Sequence, residues 1–283
     1  MSRRIASLIV SSLVAVGINA QNNSEPETLR PVFAAYTVEA GSSHIADTYL
    51  TPLRYDGWAT TLRYDRMQAM KFSPRKWVMQ LDFAVTASRT HNPAGNASIW
   101  QADIDFSWGM MRRVWQSAGF SAMVGPEAKI NLGALYSARN GNNPVSAKAA
   151  VTAGVSGRLG WRGKIGRLPL TLSWQPSLPI VGTFFAPEYG ELYYEIYLGD
   201  HRNLCRAAWW GNYFRLDNLV CADLHFGGTS LRVGYRNSFL STSASHITTR
   251  IMRHTAVIGI SGEWLSINPR KPHQANSHII SPL

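Results

Sequence analysis

The stretch WQADIDFSWGM, residues 100–110, places Trp100, Ala102, Ile104, Phe106, Trp108 and Met110 on one parity and Gln101, Asp103, Asp105, Ser107 and Gly109 on the other. A period of two is the side-chain period of a β-strand, so one face of this strand is greasy and the other carries two carboxylates. Such an apolar face either forms the core of a soluble sheet or meets lipid, and the rest of the chain decides between them. Residues 77–88 set Trp77, Met79, Leu81, Phe83 and Val85 against Gln80, Asp82 and Thr86. Residues 58–66 set Trp58, Leu62 and Tyr64 against Thr61, Arg63 and Asp65. The pattern returns from Phe120 to Tyr136, where Glu127, Lys129 and Asn131 hold the polar parity. It returns again with Lys148 and Arg158, with Asp223, with Arg232 and Arg236, and with Arg253, each opposed by Val, Leu or Ile. Alternating segments of about ten residues separated by turn residues are the signature of an antiparallel transmembrane β-barrel, with lipid outside and a polar lumen inside.

Trp100 and Trp108 are eight residues apart, which is ~26 Å along a strand at about 3.3 Å per residue. After tilting, that spacing suits aromatic rings at the two edges of a ~25 Å apolar band. The alternation predicts ten strands, at 30–41, 57–69, 76–88, 98–110, 119–136, 146–161, 167–184, 213–226, 230–240 and 249–264. An even count puts both termini on the periplasmic side. The connections on that side are then short, at 70–75, 111–118, 162–166 and 227–229, while those around 91–98, 137–146 and 185–212 are longer and turn-rich. The short connections and their edges hold Lys71, Arg75, Lys76, Arg112, Arg113, Arg162, Lys164 and Arg167. These cations either meet lipid phosphates or are solvated turn charges.

The opening MSRRIASLIVSSLVAVGINA reads as a secretory signal peptide over residues 1–20, with Arg3 and Arg4 ahead of a short apolar run and a small-residue exit. The expected organisation is then an N-terminal periplasmic segment at 21–29, the barrel at 30–264, and a flexible C-terminal tail at 265–283. Nothing beyond the leader reaches the roughly 18 consecutive apolar residues of a membrane helix. Yet 45% of the chain is hydrophobic and 16% charged, with ten tryptophans and eleven tyrosines. The net charge of +11 is spread over turns rather than gathered in an aromatic-lined stripe, and export argues further against nucleic acid as a partner. Cys205 and Cys221 would have an oxidising compartment in which to pair, but spacing does not test bridge geometry.

ADTYLTPLRYDG (46–57), YGELYYEIYLGD (189–200) and the closing run from TSLRVGYRNSF through HTAVIGISGEW resemble a family of predicted outer-membrane barrels from Bacteroidota, known as domain of unknown function 3316. The resemblance spans nearly all of the chain after the leader. It implies a location in the outer membrane of a Gram-negative bacterium, with outer-membrane lipids and the barrel-assembly machinery as partners. The family brings no agreed activity or catalytic residues. The run LSINPRKPHQANSHIISPL after Trp264 departs from barrels that end on an aromatic strand residue.

Four groups carry chemistry worth testing. Cys221, Asp223 and His225 share one strand face and suit a nucleophile, base and orienter, or a metal site. Residues two apart on a strand are some 6.5–7 Å apart, however, so plain lumen polarity explains them at least as well. Ser243 and His246 lie in NSFLSTSASHITT at an outer hairpin, a place for a hydrolase site or for an ordinary serine-rich loop. His44 and Asp47 sit in the first outer loop, with Asp47 as an acid, a base or a turn cap. Glu188, Glu191, Glu195 and Asp200 with four tyrosines make an acidic aromatic loop that binds sugars, calcium or a protein, or that covers the barrel mouth. No cofactor or metal site is expected.

Interiors of about eight strands are filled by side chains, whereas open channels appear at 16 to 18. Ten strands therefore predict a narrow or plugged lumen. The leading reading is a non-enzymatic barrel, structural or ligand-binding through its extracellular loops. An outer-membrane hydrolase of lipid or peptide with a site at the extracellular rim, and a narrow channel, are the alternatives. The lumen itself is expected to hold Asp65, Asp82, Asp103 and Asp105 on one wall and Lys148, Arg158, Arg232, Arg236 and Arg253 on the other, with Arg63 an exception, forming a cross-lumen salt-bridge network.

Overall fold

The computed structural model describes residues 28–141, 143–188, 198–199, 204–265 and 278–283. Within them, the β-strands are β1 Thr28–Leu29, β2 Val32–Asp47, β3 Arg54–Ala69, β4 Trp77–His91, β5 Ser98–Ser117, β6 Phe120–Tyr136 and β7 Val145–Ile165. They continue with β8 Leu168–Phe185, β9 Cys205–Trp209, β10 Tyr213–Phe226, β11 Thr229–Ala244, β12 Ile247–Trp264 and β13 His278–Ile279. Ten of them, β2 to β8 and β10 to β12, form one antiparallel sheet. It closes on itself where β10 meets β8, with Val220 opposite Trp174. Closure leaves the ring no free edge, which removes the pairing liability of an open sheet. The expected ten-strand antiparallel barrel is therefore what the chain forms. The long 185–212 connection adds an unexpected short strand, β9, which rides on the end of β8 with Trp209 opposite Val181.

Alternation sorts the side chains as the period of two requires. Tyr36, Leu62 and Val151 face outward and are 54%, 59% and 52% exposed, while Glu39, Asp223 and Arg232 face inward at 1% each. This is the reverse of a soluble barrel. Among the described residues no helix is long and apolar enough to cross a membrane.

The interior is layered. At the end remote from the chain termini, Ile45, Tyr55, Ile99, Leu135 and Ile251 pack together, beside a second cluster around Phe184 and Tyr213. At the terminal end, Phe33, Met67, Val78, Met111 and Met123 form another apolar layer. The charged lumen lies between them.

The flexible tail expected over 265–283 needs correcting for its last six residues. β13 pairs in parallel with β1, Leu283 packs against the terminal-end apolar layer, and Arg113 donates to the Ser281 carbonyl. Ser281 Oγ in turn donates to Glu263 at 2.6 Å. Cys205 is exposed and Cys221 is buried in the lumen wall, and both are free thiols.

Turns at the terminal end use left-handed residues, as tight hairpins on twisted strands demand. Ala118 and Gly119 have φ of 48° and 84°, and Gly166 and Gly227 have 61° and 73°. The β11–β12 turn at the other end makes the same shape from Ser245 (φ 49°) and His246 (φ 64°). A residue with a Cβ pays roughly 1–2 kcal/mol for that conformation. His246→Gly should therefore raise stability by up to about 1 kcal/mol after the glycine's greater unfolded-state freedom is offset. The urea midpoint of refolded protein is the measurement.

Candidate functional site

The inward carboxylates and cations meet across the barrel. Glu39 on β2 accepts from Arg63 Nε of β3 at 2.8 Å and from Arg236 Nε of β11 at 2.9 Å. Arg215 on β10 reaches Asp105 on β5 at 2.7 Å and its own strand's Asp217 at 2.9 Å. Lys129 on β6 joins this group at 2.8 Å from Asp217 and 3.7 Å from Glu127. Arg232 holds Asp223 through two bonds of 2.8 and 3.0 Å, lies 3.7 Å from Asp65, and stacks 5.1 Å from the Phe33 ring centre. Arg253 lies 3.4 Å from Asp103. Asp103 has room because Gly133 faces it: a Cβ there would come within 2.0 Å of Asp103 Oδ1.

Of the residues expected on the two walls, Asp65 lies against Arg232 and Asp103 against Arg253. Others are arranged differently. Asp82 is bonded by Arg63 of the neighbouring strand, not by a cation across the lumen. Lys148 pairs with Asp47 at 2.7 Å, and Arg236 with Glu39. Arg158 contacts no carboxylate among the described residues; it donates to the Met67 sulfur at 3.3 Å and lies 5.9 Å from the Phe33 ring. Glu39, Glu127, Lys129, Arg215, Asp217 and Asp223 complete the network without having been named in it. Parity was the available signal. Arg215, Asp217, Cys221 and Asp223 all share the odd face of β10, so extending that strand's alternation to its start would have found the first two.

The network leaves little space. The cavity among Arg63, Asp105, Lys129, Arg215 and Arg236 measures about 50 Å³, and the one beside Glu39 and Arg253 about 10 Å³. One water needs roughly 10–15 Å³ on this measure, so these two cavities have room for a few waters.

The rim candidates do not assemble as catalytic pairs. Asp47 is fully buried. Its Oδ1 accepts from the backbone N–H of Tyr49 at 2.9 Å, and its Oδ2 accepts from Thr249 and Ser146 at 3.0 and 3.2 Å as well as from Lys148. That is a turn cap fastened to two other strands. His44 lies on the opposite face of β2, with Nδ1 2.5 Å from Asp56 Oδ1. Ser243 and His246 line one open pocket of about 700 Å³ with Glu188, Arg206, Trp209, Asn212 and Ser245. No hydrogen bond joins Ser243 to His246 among the described residues. In that pocket Arg206 donates to Glu188 at 3.3 Å and to Ser245 Oγ at 3.1 Å, and Trp209 stands 61% exposed. In the Cys221, Asp223, His225 series, Asp223 is taken by Arg232, while His225 lies 2.6 Å from Ser230 and 2.8 Å from Thr171. Glu191, Glu195 and Asp200 lie outside the described residues.

Solved barrels of similar outline include the outer membrane protease OmpT from Escherichia coli, at 6% identity and a TM-score of 0.44, covering 87% of this chain and 99% of that one. Neisserial surface protein A follows at 11% and 0.32, covering 81% and 96%. The outer membrane protein OprG from Pseudomonas aeruginosa gives 11% and 0.32, covering 85% and 98%. At these identities and scores the likeness transfers no residue roles. No curated protein matches the sequence. A family model does match residues 6–271, and the chain belongs to that family, the proteins of unknown function DUF3316.

Proposed function

We propose that this protein is an outer-membrane β-barrel of a Gram-negative bacterium whose lumen is closed and whose loop-end rim binds an extracellular ligand. The membrane setting is supported by the outward apolar face and by exposed aromatics toward both ends, Trp58, Trp100 and Tyr136 at one and Trp115, Phe120 and Trp264 at the other. The terminal end, with its tight cationic turns, is the periplasmic one in this reading. The observation that carries the functional part is the interior: a layer of ion pairs whose cavities measure about 50 and 10 Å³, lying between two apolar layers. A channel needs a wet path, and such a stack does not offer one.

A closed interior turns the barrel into a rigid support, leaving the open pocket at the loop end as the place for recognition. Trp209 supplies a flat face there, and Glu188, Arg206, Ser243 and His246 supply donors and acceptors. This combination suits a small polar ligand such as an oligosaccharide. Ser243 and His246 act as ligand contacts rather than as a nucleophile and base, since no hydrogen bond couples them.

The expected result in planar bilayers is no discrete conductance from the folded protein. On an oligosaccharide array, wild type is expected to bind and Trp209→Ala, a change at a 61% exposed side chain, to lose most of the signal at an unchanged urea midpoint. Regular single-channel steps would overturn the closed-lumen reading. An array bound equally by wild type and Trp209→Ala, or by neither, would overturn the rim site.

A further inference from the structure

A second set of charged groups faces outward. Near the loop end, the outward positions of β12, β2, β3 and β4 carry Arg250, His254, His44, Arg54, Asp56 and Arg89. Several are held in place. Arg54 Nε donates to Asp56 Oδ1 at 2.8 Å, and His44 Nδ1 lies 2.5 Å from the same oxygen. The His44 and His254 rings are 6.5 Å apart, and His254 is bonded to the Tyr235 hydroxyl. The Arg89 guanidinium sits 4.8 Å over the Trp100 ring. Arg54 also places Nη2 3.0 Å from His44 Nδ1, yet Arg54 and Asp56 remain 58% and 54% exposed, so the guanidinium still faces outward with Nη1 open to a further acceptor.

The height of this group is informative. Below it on the same strands the outward residues include Ile258, Ile260, Tyr36, Val38, Leu62 and Val85, exposed apolar or aromatic side chains. On β12, ten residues separate Trp264 at the terminal edge from His254. That is ~33 Å along the strand at about 3.3 Å per residue and ~23 Å in height at a tilt of roughly 45°, close to the ~25 Å apolar band of such barrels. The group therefore sits where lipid headgroups begin. It is confined to one sector, since the outward positions at this end of β5, β6 and β10 are Trp100, Tyr136, Phe214 and Leu216. Three guanidinium groups against one carboxylate give a net positive patch, and planar arginine forks match phosphate oxygens two at a time.

We infer that this sector binds the phosphorylated sugar headgroup of an outer-leaflet glycolipid, with Arg54, Arg250 and Arg89 as the phosphate contacts. The inference rests on the outer-membrane orientation proposed above. It is tested with the full chain in detergent, by native mass spectrometry against bisphosphorylated lipid A and against the same lipid with its phosphates removed. Wild type is expected to retain the phosphorylated form, and Arg54→Gln with Arg250→Gln to weaken that retention on the order of 10-fold or more. Arg54→Lys with Arg250→Lys should restore part of it, and an unchanged urea midpoint verifies that each variant is folded. Equal retention of the dephosphorylated lipid, equal retention by the glutamine variant, or full competition by millimolar inorganic phosphate would each overturn the glycolipid site. Cell fractionation separates the two claims: a chain found outside the outer membrane defeats the location and this site together, whereas an outer-membrane chain with no phosphate preference defeats only the site.

Discussion

Arg232→Met is expected to cost the folded barrel about 3–5 kcal/mol, the range seen when one partner of a buried ion pair is deleted. Arg232 is 1% exposed, and so is Asp223, which it holds through two bonds. Asp65 at 3.7 Å and the Phe33 ring at 5.1 Å depend on the same guanidinium. Methionine fills much of the volume but leaves Asp223 with Ser261 at 2.7 Å as its remaining hydrogen-bond partner. The loss is thus electrostatic rather than a packing defect. Arg232→Met combined with Asp223→Leu should recover most of it, because the stranded charge goes too. Asp65 keeps a bond from Gln80 at 3.2 Å in that double variant. Urea unfolding of refolded protein measures both, and a single variant within about 1 kcal/mol of wild type would show the pair to be dispensable.

Asp47→Ala is the second large effect, expected at about 3 kcal/mol or more. It strands Lys148, whose ammonium lies 2.7 Å from Asp47. It also removes the acceptor for the Tyr49 and Leu50 backbone N–H groups and for the Ser146 and Thr249 hydroxyls. Asp47→Asn keeps an oxygen for the two backbone donors and loses the ion pair, so its cost should fall to about 1–2 kcal/mol. The ranking separates a cap from a catalyst. A residue needed only for chemistry would leave the urea midpoint unchanged in both variants.

Period-two patterning made the barrel legible because it is a local signal, repeated on every strand. β10 from Tyr213 to Phe226 shows this best, its bounds readable from alternation alone. β9 was not legible: five residues within a long connection owe their strand state to pairing with the end of β8, a tertiary cause. The same division holds for the charges. Parity says that Asp105 and Glu39 face inward, but their partners Arg215 and Arg236 lie 110 and 197 residues away. Which charges meet depends on the stagger between strands, which no single strand encodes. His44 and Asp47 show the limit of proximity in sequence. Three residues apart on a strand means opposite faces, so a pair that looked like a site is one buried cap and one outward imidazole.

The distance in sequence between the paired charges bears on assembly. Arg215 meets Asp105 only when strands from opposite sides of the ring are in place, and the β10–β8 seam that completes the ring carries Asp217 to Lys129. A slip of one residue at that seam would turn Arg215 and Asp217 out of the interior. A slip of two would move them by ~6.6 Å, beyond reach of their partners. An incompletely zipped or mis-staggered sheet therefore holds several unneutralised charges against apolar surroundings. The ion pairs therefore favour only the ring that is both closed and in register, so the seam's stagger is fixed by charge as well as by the apolar pattern.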